Sequence, residues 1–374
     1  MVHFSKQTEL VQIGNRKDEK HGAISTPIYL STAYHHDEIG LGQGYAYSRT
    51  GSPTRDVLEE AVASLESGDD AFACSSGMSA VQLVFSMFEK DSHFIVSRDL
   101  YGGSYRMFEL FERNYGFTFT YWDGREEEQL NEYIQENTKA VFLETPTNPL
   151  MQETDIALTA KFTERHELLL IVDNTFYTPY IQRPIEEGAD VVIHSATKYL
   201  GGHNDILAGL VISKGEKLGK ELKYLHNACG SILAPFDCWL LIRGLKTLAL
   251  RMNQHEKNAL IIQQFLEDHS SVTDVFYPRR GGMVSFLIAK EEWVSTFLKS
   301  LKLFSFAESL GGVESFITYP ATQTHAEIPE DIRKEYGLTN CLLRISVGIE
   351  DEIDLVADLQ QAFQECEKLL NLEV

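Results

Sequence analysis

The fold is decided by two apolar runs, Leu168-Leu169-Leu170-Ile171-Val172-Asp173-Asn174-Thr175 and Ala189-Asp190-Val191-Val192-Ile193-His194-Ser195-Ala196-Thr197-Lys198. Each run has the length of a strand that is buried on both faces, and the residues between them are helical in character. The unit is therefore predicted to be strand, crossover, strand, with the two strands parallel. Because parallel strands end at the same edge of a sheet, Asp173 and Lys198 are expected to share one crevice.

A carboxylate and an amine at one sheet edge suit pyridoxal phosphate. The aldehyde of this cofactor condenses with a lysine amine, and its pyridine nitrogen stays protonated beside a carboxylate. Asp173 is the predicted partner of the ring nitrogen, and Lys198 is the predicted Schiff-base lysine. The alternative is an ordinary loop acid and a solvated lysine at a helix start, since both residue types are mostly exposed.

Length and charge limit the class of protein. The chain has 374 residues, of which 43% are hydrophobic, and its formal net charge is −22. This length exceeds the usual size of a single core, so two domains are expected. The negative charge argues against nucleic acid or an anionic membrane as a partner, because phosphate groups attract basic proteins.

The cysteines and the apolar runs indicate a compartment. The five cysteines are scattered and form no Cys-x-x-Cys pair, which is typical of a reducing cytoplasm. The first 22 residues lack the apolar stretch of a signal peptide, and nowhere do about 18 apolar residues run together. The protein is therefore expected to be soluble and cytoplasmic.

Helical and strand-like segments alternate from Arg55 onward. The predicted helices are 55–66, 79–88, 104–114 and 156–165, and the predicted strands outside the two apolar runs are 71–73, 93–96, 117–121 and 140–144. This alternation indicates an α/β domain with a mostly parallel sheet that is covered on both faces. Ligands of such sheets bind at the carboxyl ends of the strands.

The two ends of the chain have a different pattern. Residues up to about Gly51 are rich in Gly, Ser, Thr, Tyr and His, which is typical of a segment that drapes over another surface. Beyond Pro235 one long helix over 236–265 is predicted to lead into a second, smaller α/β domain. The predicted elements of that domain are strands 284–288 and 342–347 and helices 291–300 and 354–370.

A phosphate site is predicted where a strand turns into a helix at Cys74-Ser75-Ser76-Gly77-Met78-Ser79-Ala80. A helix start that carries Ser and Gly presents unbonded backbone amides, and Gly lets the main chain approach an anion closely. Ser195 and Thr197 supply two hydroxyls just before Lys198. The alternative is a plain turn with a capping serine.

Two further strand ends carry candidate cofactor contacts. Tyr101, which precedes Gly102-Gly103, could stack its ring on the pyridine face, or it could be a buried core tyrosine. Asn148, within Pro146-Thr147-Asn148-Pro149, could bond the phenolic oxygen of the cofactor, although Asn and Pro are also common turn residues.

Two arginines are candidate anion ligands. Arg49 lies in the N-terminal segment and could contact phosphate or remain solvated. Arg344 interrupts the apolar run Leu342-Leu343-Arg344-Ile345-Ser346-Val347-Gly348, so it needs an anion, either a structural carboxylate or the carboxylate of a substrate. No metal site is predicted, because the spacing of His194, His203 and Asp205 matches no tight zinc pattern.

The motifs together resemble one family. The resemblance rests on Tyr47-Ser48-Arg49, Ser76-Gly77-Met78, Tyr101-Gly102-Gly103, Glu144-Thr145-Pro146-Thr147-Asn148-Pro149, Asp173-Asn174-Thr175-Phe176, His194-Ser195-Ala196-Thr197-Lys198-Tyr199, Glu308-Ser309-Leu310-Gly311-Gly312 and Leu343-Arg344-Ile345-Ser346. In this order they resemble the cystathionine γ-synthase/O-acetylhomoserine (thiol)-lyase branch of the Cys/Met-metabolism pyridoxal-phosphate enzymes. The resemblance implies the PLP-dependent transferase fold type I, like that of aspartate aminotransferase. It implies an arm over 1–50 that contacts the neighbouring subunit, a cofactor domain over 51–238 and a C-terminal domain over 239–374.

The resemblance also implies roles for individual residues. The backbone amides of Gly77 and Met78 are implied to bind phosphate, together with Ser195 and Thr197. Tyr47 and Arg49 of the neighbouring subunit are implied to reach the same site. The dimer with shared active sites is then the smallest active unit, and a homotetramer is expected. Those implied to hold the α-carboxylate of the substrate are Arg344, Asn148 and Ser309.

The resemblance implies γ-replacement on an O-acylhomoserine, with cysteine giving cystathionine or sulfide giving homocysteine, in methionine biosynthesis. Gly103 stands where methionine γ-lyase-like members usually carry Cys. Glu308, a candidate substrate-binding residue, stands where those members are typically apolar. Arg106 resembles the arginine that meets the distal end of the acylated substrate. Two departures are Ser52, where Asn is more frequent, and the short connection 277–283, which lacks a longer His-containing insertion.

Lys198 is the expected catalytic base, with Tyr101 assisting at the leaving group and Tyr47 assisting the incoming nucleophile. A cystathionine β- or γ-lyase would use the same cofactor residues and is the alternative activity. A non-catalytic relative is the alternative from another class, although every cofactor position carries a competent residue.

Overall fold

The computed structural model describes residues 4–39, 41–42, 44–326, 328 and 330–370. The helices are α1 Lys6–Gln12, α2 Pro53–Glu66, α3 Gly77–Phe85, α4 Gly102–Tyr115, α5 Leu130–Tyr133, α6 Ile156–Arg165, α7 Thr178–Ile181, α8 Glu216–Cys229, α9 Pro235–Leu245, α10 Leu248–Glu267, α11 Val294–Ser300, α12 Glu330–Glu335 and α13 Glu352–Leu370. The strands are β1 His36–Glu38, β2 Leu41–Gly42, β3 Asp70–Cys74, β4 His93–Ser97, β5 Thr118–Trp122, β6 Thr138–Glu144, β7 Leu169–Asp173, β8 Val191–Ser195, β9 Gly209–Ser213, β10 Val272–Phe276, β11 Met283–Ile288, β12 Ser305–Phe306, β13 Phe316–Thr318 and β14 Leu342–Ser346.

The chain divides into two compact units. Unit 1 comprises Met1–Val96, Met107–Leu143 and Asp155–Ala249, and unit 2 comprises Ser97–Arg106, Glu144–Thr154 and Leu250–Val374. Unit 2 therefore includes the turns that follow β4 and β6. The functional boundaries at 50 and 238 stay a prediction, because compactness within one chain does not test which segment serves another subunit.

The larger sheet belongs to unit 1 and has seven strands in the order β3-β9-β8-β7-β6-β4-β5. The pairs β4/β6 and β7/β8 are parallel, and β9 runs antiparallel to both of its neighbours. The central residues of β7 and β8 are fully buried, as expected for strands that are covered on both faces. The predicted mostly parallel α/β fold is confirmed.

The pairing of β7 with β8 places the candidate cofactor residues. Val172 pairs with Val192, and Asp173 pairs with Ile193, so both strands end at the same edge. The crossover between them contains only the four-residue α7 and a 3₁₀ turn at Pro184–Glu187. The expectation of a helical crossover was thus too simple, because Pro179 and Pro184 cannot sit inside a long helix.

Local sequence explains where helices α2 and α6 begin. Ser52 caps α2 by accepting a hydrogen bond from the Arg55 amide, with Pro53 at the first helical position. Asp155 caps α6 by accepting from the Leu158 amide. Serine in place of the more frequent asparagine at 52 therefore keeps the capping function.

The smaller sheet belongs to unit 2, with the order β10-β11-β14-β13-β12. Strand β14 lies in its centre and is antiparallel to both neighbours, β11 and β13. Its apolar residues pack with α10, α11 and α13 into one buried cluster that includes Phe286, Phe297 and Phe363. Residues 277–282, the short connection noted in the sequence, join β10 to β11 as a hairpin.

One sequence expectation about the helices was wrong, and two elements were not predicted. The single helix predicted over 236–265 is two helices, α9 and α10, which break at Lys246–Thr247. The Thr247 hydroxyl and amide both donate to the Gly244 carbonyl, and such local bonding competes with continuation of a helix. Strand β9 and helix α8 were not predicted, because Gly209–Ser213 is a short run without a clear period.

Neither a membrane-spanning helix nor a metal cluster occurs in the described part of the chain. Within it, each helix is too short or too polar to cross a bilayer. No three His, Cys, Asp or Glu side chains of those residues lie close enough together to bind a metal ion.

Candidate active site

The start of α3 lies directly against the end of β8. A Cβ added to Gly77 would lie 2.8 Å from Cβ and 2.9 Å from Oγ of Ser195. A Cβ on Gly209 would lie 2.0 Å from the Ser76 carbonyl oxygen. Glycine at both positions is therefore required for the close approach, which brings a helix start and a hydroxyl side chain together as an anion cradle.

The cap of α3 fixes the direction of its first amides. Ser76 accepts from the Ser79 amide at 3.1 Å, and the Ser79 hydroxyl accepts from the Ser76 amide at 2.8 Å. This reciprocal cap leaves the amides of Gly77 and Met78 without a partner inside the helix, as at the start of any helix. Those two amides and the positive end of the helix dipole are suited to a phosphate.

The residues just after β8 are partly buried. The Thr197 hydroxyl donates to the Ala208 carbonyl at 3.2 Å and accepts from the Ala208 amide at 3.0 Å. The main chain turns at Lys198, whose amide bonds the Ser195 carbonyl and whose carbonyl accepts from Gly202. Thr197 thus has a structural bond in addition to its predicted role at phosphate.

Asp173 is fixed by its neighbour Thr175. Both the amide and the hydroxyl of Thr175 donate to Asp173 Oδ1, at 3.0 and 2.5 Å, and the Thr175 hydroxyl accepts from the Ser195 amide at 2.8 Å. One hydroxyl therefore joins the ends of β7 and β8. Desolvation raises the pKa of the Asp173 carboxyl above its usual range, and the bonds from Thr175 oppose this rise. A cation beside Asp173 would stabilise its ionised form.

A buried carboxylate that sequence reasoning missed lies behind this pair. Glu66, the last residue of α2, is completely buried, and its Oε1 accepts from His194 Nε2 at 2.5 Å and from Asn174 Nδ2 at 3.0 Å. His194 precedes Ser195, and Asn174 follows Asp173. Glu66 therefore fixes the residue next to each of two candidate ligands, and His194 is hydrogen-bonded to this carboxyl group.

The N-terminal residues Tyr47 and Arg49 lie on the surface of unit 1. Arg49 Nη1 donates to the carbonyl and to Oδ1 of Asn227, and its guanidinium lies 5.5 Å from the centre of the Tyr47 ring. Tyr47 is 48% exposed and lines a cavity of about 390 Å³. Their predicted role in a neighbouring subunit stays a prediction, since one chain does not test it.

In unit 2, Arg344 is buried in the middle of β14. Its Nη1 donates to Asn148 Oδ1 at 2.6 Å, and its Nη2 donates to the Ser309 carbonyl at 3.2 Å and to Thr318 Oγ1 at 3.1 Å. These three bonds orient the guanidinium at its place in β14. An oriented, buried cation is suited to recognise a carboxylate.

The segment that carries Ser309 has an unusual backbone. Ser309 has φ +128°, a region that residues with a side chain rarely adopt. The nearby Ala307 carbonyl accepts from Thr318 Oγ1 at 3.0 Å, and Thr318 itself binds Arg344. Thr318, another residue that the sequence did not reveal, thus ties the Ser309 segment to the guanidinium.

The orientation of the Asn148 amide follows from chemistry. A guanidinium only donates, so the atom of Asn148 that faces Arg344 must be the oxygen, and the NH₂ group points the other way. The backbone around Asn148 is anchored on both sides. The Leu150 amide donates to Asp99 Oδ2 at 3.0 Å, and the Ser285 hydroxyl donates to the Pro149 carbonyl at 2.7 Å.

Tyr101 is anchored through its backbone and packs over a glycine. Its amide donates to Glu144 Oε2 at 2.8 Å, while its side chain is 40% exposed. A Cβ on Gly103 would lie 2.3 Å from Cε1 of the Tyr101 ring. Glycine at 103 therefore allows the ring to occupy its present position.

Two other predicted substrate residues are exposed. Arg106 lies in the second turn of α4, and Glu308 precedes the strained Ser309; the side chains of both face solvent. Their exposure is compatible with contact to the distal part of a substrate.

The residues of unit 1 fit pyridoxal 5'-phosphate. The close approach at Gly77 forms a cradle that a side chain would fill, and Asp173 is a carboxylate whose ionised form needs a cation, which a protonated pyridine supplies. Ser195 and Lys198 follow on the adjacent strand end. The class that these features define is that of pyridoxal-phosphate enzymes.

The chain belongs to the Cys/Met metabolism PLP-dependent enzyme family, which matches residues 7–364, and its cofactor is pyridoxal 5'-phosphate. It is 60% identical to the cystathionine gamma-synthase/O-acetylhomoserine (thiol)-lyase of Bacillus subtilis (strain 168), over 95% of both chains. It is 54% identical to the cystathionine gamma-synthase of Haemophilus influenzae (strain ATCC 51907 / DSM 11121 / KW20 / Rd), over 96% of this chain and 98% of the relative.

Among solved structures, the cystathionine gamma-lyase of Lactobacillus plantarum complexed with L-serine is 43% identical. It superposes with a TM-score of 0.94 over 97% of this chain and 100% of the lyase. The predicted family and fold are confirmed. Because a lyase shares the fold so closely, the fold alone does not separate γ-replacement from elimination.

Proposed function

We propose that this enzyme catalyses γ-replacement on O-acetyl- or O-succinylhomoserine, with cysteine giving cystathionine or sulfide giving homocysteine. The observation that carries the proposal is the 60% identity to a cystathionine gamma-synthase/O-acetylhomoserine (thiol)-lyase over 95% of both chains. The gamma-lyase of known structure is less similar in sequence, at 43%. Gly103 and Glu308 support the same choice.

We assign the cofactor contacts residue by residue. Lys198 would carry the covalent link to the cofactor, and Asp173 would bond its ring nitrogen. The phosphate ligands are Gly77, Met78, Ser195 and Thr197, joined by Tyr47 and Arg49 of the neighbouring subunit. Tyr101 stacks on the ring, and the NH₂ group of Asn148 donates to the phenolic oxygen.

Bound pyridoxal phosphate supplies an electron sink that stabilises negative charge at the substrate Cα. Lys198 Nζ acts as the general base that removes the Cα proton. Nζ would deliver that proton to the bound cofactor, which makes it a base again. It would then remove a second proton from Cβ, which allows the substituent at Cγ to leave, and it would return protons to the product. Asp173 keeps the ring nitrogen protonated throughout, and Thr175 holds Asp173 in place.

The substrate is held through its α-carboxylate. Arg344 binds this group, with Asn148 and Ser309 beside it. Arg106 and Glu308 contact the distal end of the acylated side chain. Because three hydrogen bonds within the chain orient the guanidinium of Arg344, little side-chain entropy is lost when it binds a carboxylate.

Two tyrosines serve the exchange at Cγ. Tyr101 assists departure of the acyl group, and Tyr47 helps to deprotonate the incoming nucleophile. The Cγ–O bond breaks and the acyl group leaves as a carboxylate, while the thiol loses its proton and forms the Cγ–S bond. The products are a thioether or thiol amino acid and a carboxylic acid.

The assembly is part of the proposal. Residues 1–50 form an arm that contacts the neighbouring subunit, residues 51–238 bind the cofactor, and residues 239–374 form the C-terminal domain. The active unit is then a homodimer with shared active sites, and two dimers form a homotetramer. We place the enzyme in the cytoplasm, where its free cysteines stay reduced.

A matrix of two esters against two thiols tests the activity. We expect kcat/KM to be highest for one pair of acylhomoserine and thiol, and this pair defines the acyl group and the nucleophile. The competing activity is a β- or γ-lyase. Rapid release of pyruvate or 2-oxobutyrate from cystathionine alone, with no turnover of acylhomoserine plus thiol, would reject the proposal.

A further inference from the structure

We propose that His325 is a positioning residue that holds the Tyr101 turn and the Asn148 turn in fixed relation within unit 2. The Nε2 atom of His325 lies 3.2 Å from the Leu100 carbonyl oxygen and 3.1 Å from the Asn148 carbonyl oxygen. Leu100 directly precedes Tyr101. The proposal rests on the proposed function, in which Tyr101 and Asn148 contact the reacting substrate and cofactor.

The protonation state of His325 follows from its partners. Carbonyl oxygens only accept, so Nε2 must carry a proton and donate to both of them. The Thr324 hydroxyl lies 2.8 Å from Nδ1 and donates to it. Burial lowers the pKa of His325 to about 4, so the ring is neutral near pH 7 and Nδ1 keeps its lone pair. All three contacts are satisfied by one tautomer.

The segment that carries His325 also packs against the Tyr101 turn. A Cβ on Gly102 would lie 2.1 Å from the Thr324 carbonyl oxygen, so the two backbones touch. The side chain of Asn148 accepts a 2.6 Å hydrogen bond from Arg344, so the position of the Asn148 turn also affects the position of Arg344. The His325 ring, which is 1% exposed, therefore links the residue beside the leaving group to the residues that bind the carboxylate.

A histidine that only filled space in the core would make the same van der Waals contacts, but it would not link the two turns. Asp99 and Ser285 also anchor the Asn148 turn, through the Leu150 amide and the Pro149 carbonyl. His325 differs because its single N–H donates to both turns. The donated hydrogen bond, rather than the volume of the ring, is the property to test.

The test compares His325→Leu with His325→Gln in the holoenzyme. Leucine removes the donor, whereas the glutamine amide restores an N–H near the position of Nε2. We expect kcat/KM for acylhomoserine plus thiol to fall about 30-fold in His325→Leu, in line with loss of a buried hydrogen bond. We expect kcat/KM of His325→Gln to be at least about 5-fold higher than that of His325→Leu.

A second readout separates failure of this proposal from failure of the proposed reaction. L-serine and ethanolamine differ by one carboxylate, and their dissociation constants are measured by calorimetry on the holoenzyme. Wild type is expected to favour L-serine, and His325→Leu is expected to lose about 10-fold of that preference. This readout does not depend on which amino acid the enzyme turns over.

The matched control is His93→Leu. His93 is also buried with a lowered pKa, and it bonds Thr138 and Thr120 at the start of β4 rather than at a substrate turn. It is expected to lower the melting temperature without changing kcat/KM. If His325→Leu does not fold, Thr324→Val, which removes the partner of Nδ1, is expected to lower kcat/KM about 5-fold.

Two outcomes overturn the proposal. In one, a folded His325→Leu keeps the kcat/KM and the L-serine preference of wild type within twofold. In the other, His325→Leu and His325→Gln lose activity equally, so that the donated bond has no role. Absence of γ-replacement in wild type would reject the proposed function instead, and the L-serine comparison would still decide the role of His325.

Discussion

Unit 1 holds a carboxylate and unit 2 holds a guanidinium, and the hydrogen bonds that orient each group come from neutral partners. Asp173 accepts twice from Thr175, and Arg344 donates to Asn148, Ser309 and Thr318. In both units these hydrogen bonds fix the geometry of the group. Because the two groups have opposite charges, we infer that they bind different partners. Asp173 of unit 1 is suited to a cationic ring nitrogen, and Arg344 of unit 2 is suited to an anionic carboxylate.

The two groups are also built differently. Asp173 stands at the end of a parallel strand, where local sequence sets its position. Arg344 stands in the middle of an antiparallel strand and is oriented by residues from three other segments. Substitution of Asp173 should therefore affect binding and chemistry of the cofactor, and substitution of Arg344 should affect recognition of the amino acid.

Asp173→Asn is the variant for which we expect the largest loss of activity. Asparagine can still accept both bonds from Thr175, but it cannot stabilise a protonated ring nitrogen. We expect kcat/KM to fall on the order of 1,000-fold, about 4 kcal/mol of transition-state stabilisation. Steady-state kinetics at saturating cofactor measure this loss. Retention of more than a tenth of the wild-type activity would contradict the role of Asp173.

The same variant should stabilise the protein without cofactor. Burial raises the pKa of Asp173, so the folded state favours the protonated form, and stability is lost as the pH rises through the folded pKa. Above that pH the apo form of Asp173→Asn is expected to be more stable than wild type by about 1 kcal/mol, because it buries no charge. Urea unfolding of the apo proteins at several pH values measures the difference, which should vanish at low pH.

Arg344→Leu tests unit 2. Loss of the guanidinium is expected to lower kcat/KM about 100-fold, mainly through KM for the amino acid, because a buried charged contact to the carboxylate is removed. The dissociation constant of pyridoxal phosphate should stay within twofold of wild type. Arg344→Lys keeps the charge without the planar fork and should fall in between. If Arg344→Leu weakened binding of pyridoxal phosphate as much as binding of the amino acid, the separate roles of Asp173 and Arg344 would be contradicted.

Glu66→Gln examines the support of the cofactor residues. The change leaves the side-chain volume but removes the negative charge that His194 and Asn174 share. We expect pyridoxal phosphate to bind about 10-fold more weakly, so the rise in melting temperature that the cofactor causes becomes smaller.

The control for this change is Glu60→Gln on the same helix, where an exposed ion pair with Lys17 is lost. A purely structural role of Glu66 would lower the melting temperatures of apo and holo protein equally. That result would contradict a role in cofactor binding.

Gly103→Ala is the variant for which we expect the smallest loss of activity. The added methyl group would lie 2.3 Å from the Tyr101 ring, so the ring must move. We expect kcat to fall about 5-fold, while KM changes little, since a shift of a positioned catalytic group mainly affects the chemical step. Gly51→Ala, where the nearest atom is 3.6 Å away, is the control. Unchanged kcat would show that the position of the ring is not limiting.

Much of unit 1 could be predicted from sequence because its signals are local. Helix α6 has the predicted bounds, and the ends of β7 and β8 carry Asp173 and Ser195 within a few residues of an apolar run. The break between α9 and α10 was missed, since the apolar pattern continues across Lys246 and Thr247 while a side-chain bond ends the helix.

The supporting residues could not be predicted for a physical reason. Glu66 and His194 are 128 positions apart, and His325 and Leu100 are 225 apart, so their pairing depends on the folded topology. Buried polar residues of this kind give no periodic signal in one sequence. Thr318 is similar, because a threonine in a strand usually indicates nothing beyond strand propensity.

The central claim is that Lys198 carries the cofactor. Reduction of the purified holoenzyme with borohydride fixes the cofactor to its lysine, and peptide mass spectrometry then locates the label. The account predicts one pyridoxyl group per chain, on Lys198. A label on any other lysine, or full incorporation into Lys198→Ala, would contradict it.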